Sequence, residues 1–486
     1  MHKGRTLAII ITILIVSAVF PSSAYAQGPA GVWTSNISCQ NQSESEAVVT
    51  LMFYESDTGI STSLATDTIA GGKSKNFILS DLPDSSVGSV IVSSSAPVTC
   101  AVDQSKEASG TISNPYRFAA SKGFNTDEIS PTMYVSQIEK DFWNWNSYIA
   151  IQNTSSSSTN VTISFVDRNG TAYPDDTFSI PGYGNHIVYL EENTSLPSQF
   201  IGGATISADD GTTPLAVTAV FYNTGDSSST SQIHAYNGAA TGSNLLYAPY
   251  IVRNYYGYQS GITIQNVGSA ETSFKITFTF NNTDFVYQHP VALRPGEIKD
   301  FYLPNVTELR PVDSFSVNLR YGKAVIEATD VGGNPNSAGS LIANINQDNR
   351  GGASIPAERA GQGATYSAFL STAGSQTVYI AKIMRNVGGF SSGFHISNFT
   401  DSDGICSVYF VDDPDANFTQ PINANSYITK YAPDITNLND GYNAGAIIEC
   451  TVDVFAIVNA AVNPNAGRYG DSFYQMGTGT QPPVSD

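Results

Sequence analysis

One short segment matches a catalytic pattern: residues 389–393 read GFSSG, which has the form G-x-S-x-G. In hydrolases this pattern places a nucleophilic serine at a sharp turn from a strand into a helix. Here it leads into residues 394–398, whose apolar and polar side chains alternate, so it is typical of a hairpin. The histidines beyond the amino-terminal segment lack the spacing of metal ligands; they are His186, His234, His289 and His395. The sequence therefore predicts no enzyme and no metal site at histidine.

Acidic residues gather in several predicted turns and offer carboxylate oxygens of the kind that calcium binds. These turns contain Asp175 and Asp176, Asp209 and Asp210, Asp401 and Asp403, and Asp412, Asp413 and Asp415. None of them has the spacing of an EF-hand loop. Solvated turns explain the pattern better than a cation site does, so we expect no cofactor and keep calcium as the alternative.

Two aromatic clusters have side chains that can stack on sugar rings or pack against a neighbouring part of the protein. They contain Trp143, Trp145 and Tyr148 in one segment and Tyr255, Tyr256 and Tyr258 in another. Each cluster directly follows a short motif that is a predicted connection between units. This position favours packing between units, and carbohydrate binding is the alternative.

The four cysteines, Cys39, Cys100, Cys406 and Cys450, indicate disulfide bonds in an exported protein. Four cysteines allow three connectivities, and their number alone does not choose among them. The choice depends on which strands place two cysteines on the same core face.

Those strands belong to a sequence repeat, which is marked by an asparagine at the end of an alternating segment. The four segments read SNISCQN, SYIAIQN, SGITIQN and SGFHISN, and they end at Asn41, Asn153, Asn266 and Asn398. Each continues with a polar turn and further alternating segments rich in β-branched and aromatic residues, such as VTISFVD from Val161. We therefore predict an all-β chain of four tandem immunoglobulin-like β-sandwich domains in a rod-like array, with a small barrel as the alternative architecture.

The repeats divide the chain into segments with distinct expected roles. They are 1–26, a signal peptide; 27–128, repeat 1; 129–243, repeat 2; 244–350, repeat 3; 351–376, an insertion or linker; and 377–486, repeat 4 with a carboxy-terminal tail. The first segment has Lys3 and Arg5, an apolar run and a small-x-small site, which together predict cleavage before Gln27. An uncleaved membrane anchor is the alternative, and the sequence favours it less because the apolar run is short for a bilayer span.

The repeat register selects one disulfide pairing. Cys39 takes the place of the predicted core-facing isoleucines of the other repeats, which are Ile151, Ile264 and Ile396. Cys100, Cys406 and Cys450 also lie in phase with the apolar face of their segments. We therefore predict the bonds Cys39–Cys100 and Cys406–Cys450, each within one repeat and each worth roughly 4 kcal/mol in the loop-entropy description.

Repeats 2, 3 and 4 begin with a motif that repeat 1 lacks. It reads YVSQIEK from Tyr134, YAPYIVR from Tyr247 and YIAKIMR from Tyr379, which predicts a leading strand and a connection between repeats. Without this strand repeat 1 has an open sheet edge that can accept a strand from another subunit. The tail at 469–486 is the predicted donor.

Charge and composition exclude some partners. The chain has 22 basic and 42 acidic residues, a formal net charge of −20, and 13% charged residues. Nucleic acid is excluded as a partner because few basic residues are present to neutralise phosphates. The apolar fraction of 41% is high enough to form buried cores.

The repeated phrase IxIQN, polar turn, VTISFxD, turn, SIPxxG resembles tandem immunoglobulin-like repeats in secreted surface proteins of filamentous bacteria. The similarity covers essentially all of the chain after residue 26. It implies an extracellular sheath, filament or other cell-surface structural protein whose partners are copies of itself or other envelope proteins. An adhesin or carbohydrate-binding surface module is the alternative function, and no membrane span is expected after removal of the signal peptide.

Overall fold

A computed structural model describes residues 10–16, 33–79, 82, 86–106, 117–223, 232–349, 362–462, 472–476 and 478–479, and the statements below concern these residues. The described chain consists of antiparallel strands with short 3₁₀ turns, which confirms the all-β prediction. No helix within these ranges is long and apolar enough to cross a membrane.

The strands follow the order of the sequence repeats. Repeat 1 contains β2 (Trp33–Asn41), β3 (Ala47–Glu55), β4 (Ser61–Ile69), β5 (Ser74–Ile78), β6 (Gly88–Ser94), β7 (Val98–Lys106) and β8 (Arg117–Lys122), and β1 (Ile10–Val16) precedes it. Repeat 2 contains β9 (Thr132–Lys140), β10 (Trp145–Asn153), β11 (Thr159–Asp167), β12 (Ala172–Ile180), β13 (Asn185–Tyr189), β14 (Phe200–Ala208), β15 (Leu215–Asn223) and β16 (Ile233–Asn237).

The second half of the chain continues the same plan. Repeat 3 contains β17 (Leu245–Val252), β18 (Gln259–Asn266), β19 (Ser273–Phe280), β20 (Thr283–Gln288), β21 (Ile298–Tyr302), β22 (Tyr321–Thr329) and β23 (Leu341–Asn349), followed by β24 (Gln362–Ser367) and β25 (Phe369–Leu370). Repeat 4 contains β26 (Ser375–Met384), β27 (Phe390–Asn398), β28 (Gly404–Phe410), β29 (Phe418–Ile422), β30 (Tyr427–Tyr431), β31 (Asn443–Val462), β32 (Ser472–Met476) and β33 (Thr478–Gly479). The 3₁₀ turns are Leu190–Glu192, Leu303–Asn305, Thr307–Ser314, Val317–Leu319, Ser371–Ala373, Pro414–Ala416 and Ala432–Asp434.

Two sheets pack face to face in each of repeats 1 to 3. In repeat 2 their strand orders are β13-β10-β15-β16 and β12-β11-β14-β9. Repeat 1 has β5-β2-β7-β8 and β1-β6-β3-β4, and repeat 3 has β21-β18-β23-β24 and β20-β19-β22-β17-β25. The predicted inward residues Ile151, Val161 and Ile163 are each 0% exposed and share one core. Burial of a side chain of this size stabilises the fold by about 1.5–3 kcal/mol.

One long strand joins the two sheets of repeat 4. The first half of β31 pairs with β26 and β28, and its second half pairs with β27. In repeat 2 the corresponding strands, β14 and β15, are separated by a turn with Gly211 and Pro214. Residues 451–453 of β31 contain neither glycine nor proline, so the strand continues from one sheet into the other.

The segment 351–376, which the sequence predicts as an insertion or linker, contains part of a sandwich. Residues 362–367 form β24, which pairs with β23 and takes the place that β8 and β16 have in repeats 1 and 2. β25 pairs with β17, and β26 already begins at Ser375. The sequence repeat was followed only as far as the closing strand. The alternating segment beyond it, in which Ala364 and Tyr366 are buried, was therefore not predicted as a strand. Residues 351–361 lie outside the described residues, and the remaining segment boundaries stay a prediction.

The structure forms the two disulfides that the repeat register predicts, Cys39–Cys100 and Cys406–Cys450. Each joins directly opposed residues of neighbouring strands, β2 with β7 and β28 with β31. Their Cα atoms are 4.1 Å apart in both pairs. The bonds therefore lie within a sheet, and they lie in opposite sheets of the two repeats.

A leading strand lies beside the same sheet edge in every repeat. β9, β17 and β26 pair with β14, β22 and β31, and all three pairings share one bulge, between Val135 and Ile138, Ala248 and Ile251, and Ile380 and Ile383. The pairing of β26 has a further register shift, between Ser375 and Thr377. In repeat 1 this place beside β6 is occupied by β1, which belongs to the predicted signal peptide. β1 pairs in continuous register, from Ile10 opposite Ser94 to Val16 opposite Gly88.

The repeats contact one another in a closed cycle, so the predicted rod-like array is wrong. The last strands β8, β16, β24 and β32 lie side by side in this order, and β32 also lies against β8. β26 of repeat 4 lies against β2 and β7 of repeat 1. There Gly445 N donates to Ser74 Oγ at 2.9 Å, and Tyr379 OH donates to Gln42 O at 3.1 Å. A rod-like arrangement is excluded because its first and last repeats would lie far apart, whereas repeats 1 and 4 are in contact.

The carboxy-terminal tail pairs within repeat 4, which contradicts the donor prediction for its described part. β32 pairs with β31, and β33 pairs with β26. β32 thus takes the place that β8, β16 and β24 have in the other repeats. A strand that completes its own sheet is not available to another subunit. Residues 469–471, 477 and 480–486 lie outside the described residues.

Candidate functional site: the contacts between repeats and the aromatic turns

The repeat asparagine fixes the turn that follows its strand. Asn153 Nδ2 donates to Ser157 O at 2.7 Å and to Ile180 O at 3.3 Å. Asn153 Oδ1 accepts from Ser155 N at 2.9 Å. Asn41 and Asn266 make the same three bonds. Asn398 makes the bonds to Ser402 O and Thr400 N and donates to Asn423 O, one residue beyond the equivalent carbonyl. All four asparagines are fully buried. The repeat asparagine therefore connects the ends of two strands to the turn through hydrogen bonds.

The basic residue at the end of each leading motif closes a second turn. Lys140 Nζ donates to Asn193 O at 2.6 Å and to Leu196 O at 3.0 Å. Arg253 and Arg385 donate in the same way to carbonyls of the turns before β22 and β31. A leading strand therefore supplies its repeat with an apolar edge and with a cation that satisfies turn carbonyls.

Within the bulge of each leading strand, one side chain contacts the next repeat. These bulge residues are Gln137 in β9, Tyr250 in β17 and Lys382 in β26. They occupy equivalent positions in their repeats, so each of these repeats contacts the next one through the same position of its leading strand. Their chemistry differs from one contact to the next.

The bulge residue of repeat 2 joins a polar network on repeat 3. Thr263 Oγ1 donates to Gln137 Oε1 at 2.6 Å, and Asn346 Nδ2 donates to the same oxygen at 3.0 Å. Gln137 Nε2 donates to Glu139 Oε1 at 2.6 Å. The amide thus has its oxygen and its nitrogen hydrogen-bonded, as a buried polar group requires.

The bulge residue of repeat 3 stacks on a histidine of repeat 4. The rings of Tyr250 and His395 are 3.6 Å apart and nearly parallel, and His395 Nδ1 lies 2.8 Å from Thr429 Oγ1. Burial lowers the pKa of His395 to about 3 and raises the pKa of Tyr250. Both rings are therefore neutral at pH 7. Between the same two repeats, Lys323 Nζ donates to Asn398 O at 2.9 Å.

The bulge residue of repeat 4 forms an ion pair with repeat 1. Lys382 Nζ contacts the carboxylate of Asp103, and the two side chains are 10% and 2% exposed. A charge this deeply buried needs its partner, because desolvation costs several kcal/mol per ion. The contact that closes the cycle is therefore specified by opposite charges.

The contact between repeats 1 and 2 has another basis, since β1 has no bulge. Ser56 Oγ donates to Asn185 Oδ1 at 2.7 Å, and His186 Nδ1 lies 2.6 Å from Asp57 Oδ1. The side chains of His186 and Asp57 are 30% and 65% exposed. Solvent screens such a pair, so it contributes less than the buried pair at the other side of repeat 1.

Four of the six predicted aromatic residues are packed within the protein. Trp145 is 8% exposed in the core of repeat 2, and Tyr148 is 2% exposed in a cluster shared by repeats 1 and 2. Tyr255 and Tyr258 pack, partly buried, against the core of repeat 3. Tyr148 thus packs between repeats, whereas Trp145, Tyr255 and Tyr258 pack against the core of their own repeat.

The other two aromatic residues lie at the tips of equivalent turns. Trp143 is 70% exposed and Tyr256 is 42% exposed. Their φ values are 53° and 49°, in the left-handed region that bulky side chains rarely adopt. Repeat 4 has Gly388 at this place. Folding does not require an exposed ring there, so the tips are candidate ligand contacts.

A groove of about 320 Å³ lies beside Trp143 at the contact between repeats 2 and 3. Its walls include Trp143, Tyr302, Asp300, Asn305 and Asp348. Aromatic faces can contact the C–H groups of a sugar ring, and carboxylate and amide groups can bind its hydroxyls. The sequence grouped the tryptophans but missed the residues from repeat 3, which are far away in the chain.

The acidic turns use their carboxylates for local hydrogen bonds. Asp210 accepts from Thr213 Oγ1 at 2.6 Å and from Thr212 N at 2.7 Å. The Thr213 hydroxyl, followed by the backbone N–H groups of Thr212 and Thr213, holds the pKa of Asp210 well below its usual range. Asp413 Oδ2 accepts from Asn439 N at 2.7 Å. Among the described residues, no group of three or more His, Cys, Asp or Glu side chains is placed to hold a metal ion.

The residues with catalytic potential are integrated into the sandwiches. Ser391 lies in β27 and is 1% exposed, and its hydroxyl donates to Asn386 Oδ1 at 3.2 Å. The histidines occupy four separate environments: His186 beside Asp57, His234 beside Trp145, His289 stacked on Phe274, and His395 stacked on Tyr250. Burial, and secondarily Lys299, lowers the pKa of His289 to about 4.

No family model and no curated protein matches this sequence. Solved structures with partial likeness include Thermotoga maritima 1070, at 15% identity over 24% of this chain and 91% of that chain, with a TM-score of 0.19. The Anabaena sensory rhodopsin transducer aligns at 17% identity over 18% and 83% of the two chains, with a TM-score of 0.15. A tetra-tandem repeat from the extending region of a large adhesion protein aligns at 12% identity over 96% and 97%, with a TM-score of 0.10. These scores are too low to carry an argument about function.

Proposed function

We propose that this protein is a non-enzymatic structural component of the cell exterior: a cell-surface, sheath or filament subunit that assembles by β-strand addition. The observation that carries the proposal is the set of contacts between repeats. The chain uses its buried ion pair, its tyrosine–histidine stack and its amide network to hold its own repeats together. A rigid assembly with repeated sheet edges suits a building block.

The extracellular location has two supports. Residues 1–26 have the pattern of a cleaved signal peptide. The disulfides Cys39–Cys100 and Cys406–Cys450 form and persist in an oxidising compartment. Copies of this chain or other envelope proteins are the expected partners.

Fractionation followed by negative-stain microscopy tests this function. We expect the protein in the surface fraction and expect material released from it to form filaments or sheets built from compact particles. Protein that stays inside the cell, or released protein that is monomeric in every surface preparation, would contradict the proposal.

A second candidate function is carbohydrate binding by an adhesin, and the exposed Trp143 beside the groove favours it. A glycan array probed with the purified protein tests this candidate. Binding that Trp143→Ala abolishes would support it. Tyr256→Ala is the matched control, because Tyr256 lies at the equivalent turn of repeat 3. Binding that persists in Trp143→Ala, or an array without signal, would exclude the groove as a carbohydrate-binding site.

A further inference from the structure

The edge of β6 in repeat 1 is the leading-strand place that this chain fills with its predicted signal peptide. One edge of β6 pairs with β3 and the other pairs with β1. Val90 and Val92 of β6 are 0% exposed in the core of repeat 1. Removal of residues 1–26 leaves residues 88–94 with unpaired backbone groups beside that core. Such an edge is a template for an added strand.

The three other leading strands show what an added strand must contain. Each buries apolar side chains at positions i, i+2 and i+5, and the longer second step spans the bulge. These residues are Met133, Val135 and Ile138; Leu246, Ala248 and Ile251; and Val378, Ile380 and Ile383. The bulge residue is at i+4, and the turn-closing cation is at i+7: Lys140, Arg253 or Arg385.

β1 meets these requirements only in part. It pairs without a bulge, so it has no bulge residue, and no basic residue follows it before residue 27. Ser89, opposite Ile15, is 0% exposed, and its hydroxyl has no hydrogen-bond partner among the described residues. The leader therefore occupies the place without supplying the contacts that leading strands make elsewhere.

The surface of repeat 2 specifies the missing bulge residue. Thr263 and Asn346, which bind Gln137, correspond in register to Ala150 and Val220 of repeat 2. Ala150 and Val220 line a small cavity of about 10 Å³ between repeats 1 and 2. An apolar residue at i+4 fits this surface, whereas a charged residue there loses its hydration without a partner.

We infer that, once the leader is removed, the β6 edge of repeat 1 accepts a strand from a different protein. That strand has apolar residues at i, i+2, i+4 and i+5 and a lysine or arginine at i+7. The inference rests on the proposed export and names the partner of the proposed strand addition. A second copy is the poorer donor because its matching strands β9, β17 and β26 and the described part of its tail are already paired.

Peptides test this inference without any change in the protein. The protein is expressed with its leader, and the released chain is analysed by mass spectrometry and by hydrogen exchange of residues 88–94. The probe peptide copies residues 132–140 with Gln137→Leu. We expect rapid exchange at 88–94 in the released chain and protection when the probe is added. The peptide with Gln137→Lys, or with Lys140→Ala, should bind about tenfold more weakly, which corresponds to about 1.4 kcal/mol.

Four outcomes would overturn the inference. A released chain that retains residues 10–16 fills its own place, and a released chain whose 88–94 amides are as protected as those of 200–208 has no open edge. Open amides that the probe leaves unprotected show that the edge does not accept this pattern. Protection that rises with the concentration of the chain alone identifies a second copy as the donor. The surface location and structural role are measured separately by fractionation and microscopy.

Discussion

Repeat 1 contacts repeat 4 and repeat 2 through side-chain pairs that differ in burial. Towards repeat 4 it meets a complete leading strand, whose bulge residue Lys382 reaches the buried Asp103. Towards repeat 2 its own leading-strand position contains β1, and the contact is made by the more exposed side chains of His186 and Asp57. The comparison teaches that a leading strand both completes a sandwich and specifies the neighbour on which it docks.

The largest expected effect follows from breaking the stronger contact. Lys382→Met leaves the carboxylate of Asp103 buried without its cation, so we expect a loss of about 3–5 kcal/mol in the free energy of unfolding. Denaturant unfolding followed by fluorescence measures this loss. The matched control is Lys382→Met combined with Asp103→Leu, which should recover most of the stability because no charge is left buried. A loss below 1 kcal/mol in the single variant would contradict a buried pair.

The repeat asparagines sharpen the comparison because neighbouring repeats have one at the same position: Asn41 in repeat 1 and Asn153 in repeat 2. Asn153→Ala leaves buried carbonyl and N–H groups without their partners, and we expect a loss of about 2 kcal/mol. Asn41→Ala should lose a similar amount, since Asn41 makes the same bonds. Thermal unfolding of the two variants checks this. A large difference between them would show that the two repeats do not share one turn design.

The pH dependence of stability tests the stacked contact between repeats 3 and 4. The pKa of His395 falls from 6.5 to about 3 in the folded protein. Between these pH values the unfolded state binds more protons, so stability falls as the pH is lowered from about 6.5 towards about 3. His395→Phe keeps a ring against Tyr250 and cannot titrate. Melting temperatures measured from pH 7 to pH 4 should decline less in this variant; equal slopes would contradict the assignment.

The smallest effect is expected at the weaker contact of repeat 1. His186→Ala removes a pair that solvent screens, and we expect a loss of less than about 1 kcal/mol. Denaturant unfolding under the conditions used for Lys382→Met gives a direct comparison. A loss as large as that of Lys382→Met would show that the two contacts are equally strong.

Much of the fold could be predicted from the sequence because its determinants are local. Alternation within seven or nine residues sets the inward face of a strand, and Cys39 followed the phase of Ile151. The bulge was also visible. In YVSQIEK the apolar residues Val135 and Ile138 are three positions apart, and this break in alternation releases Gln137 from the core.

The cycle could not be predicted, because it depends on pairs that no local period connects. Lys382 and Asp103 are separated by 279 residues. Each has an ordinary sequence environment, and only the register of β26 against repeat 1 places them together. The same reason explains the groove, where Trp143 meets Tyr302 and Asp348 from another repeat.

Small-angle X-ray scattering of the released chain tests the closed cycle of repeats most directly. A compact chain of this length has a radius of gyration of about 23 Å. We predict a value close to this, and a distance distribution with a single maximum. A much larger radius with the extended tail of a linear array would show that repeat 4 does not contact repeat 1, and would contradict the account.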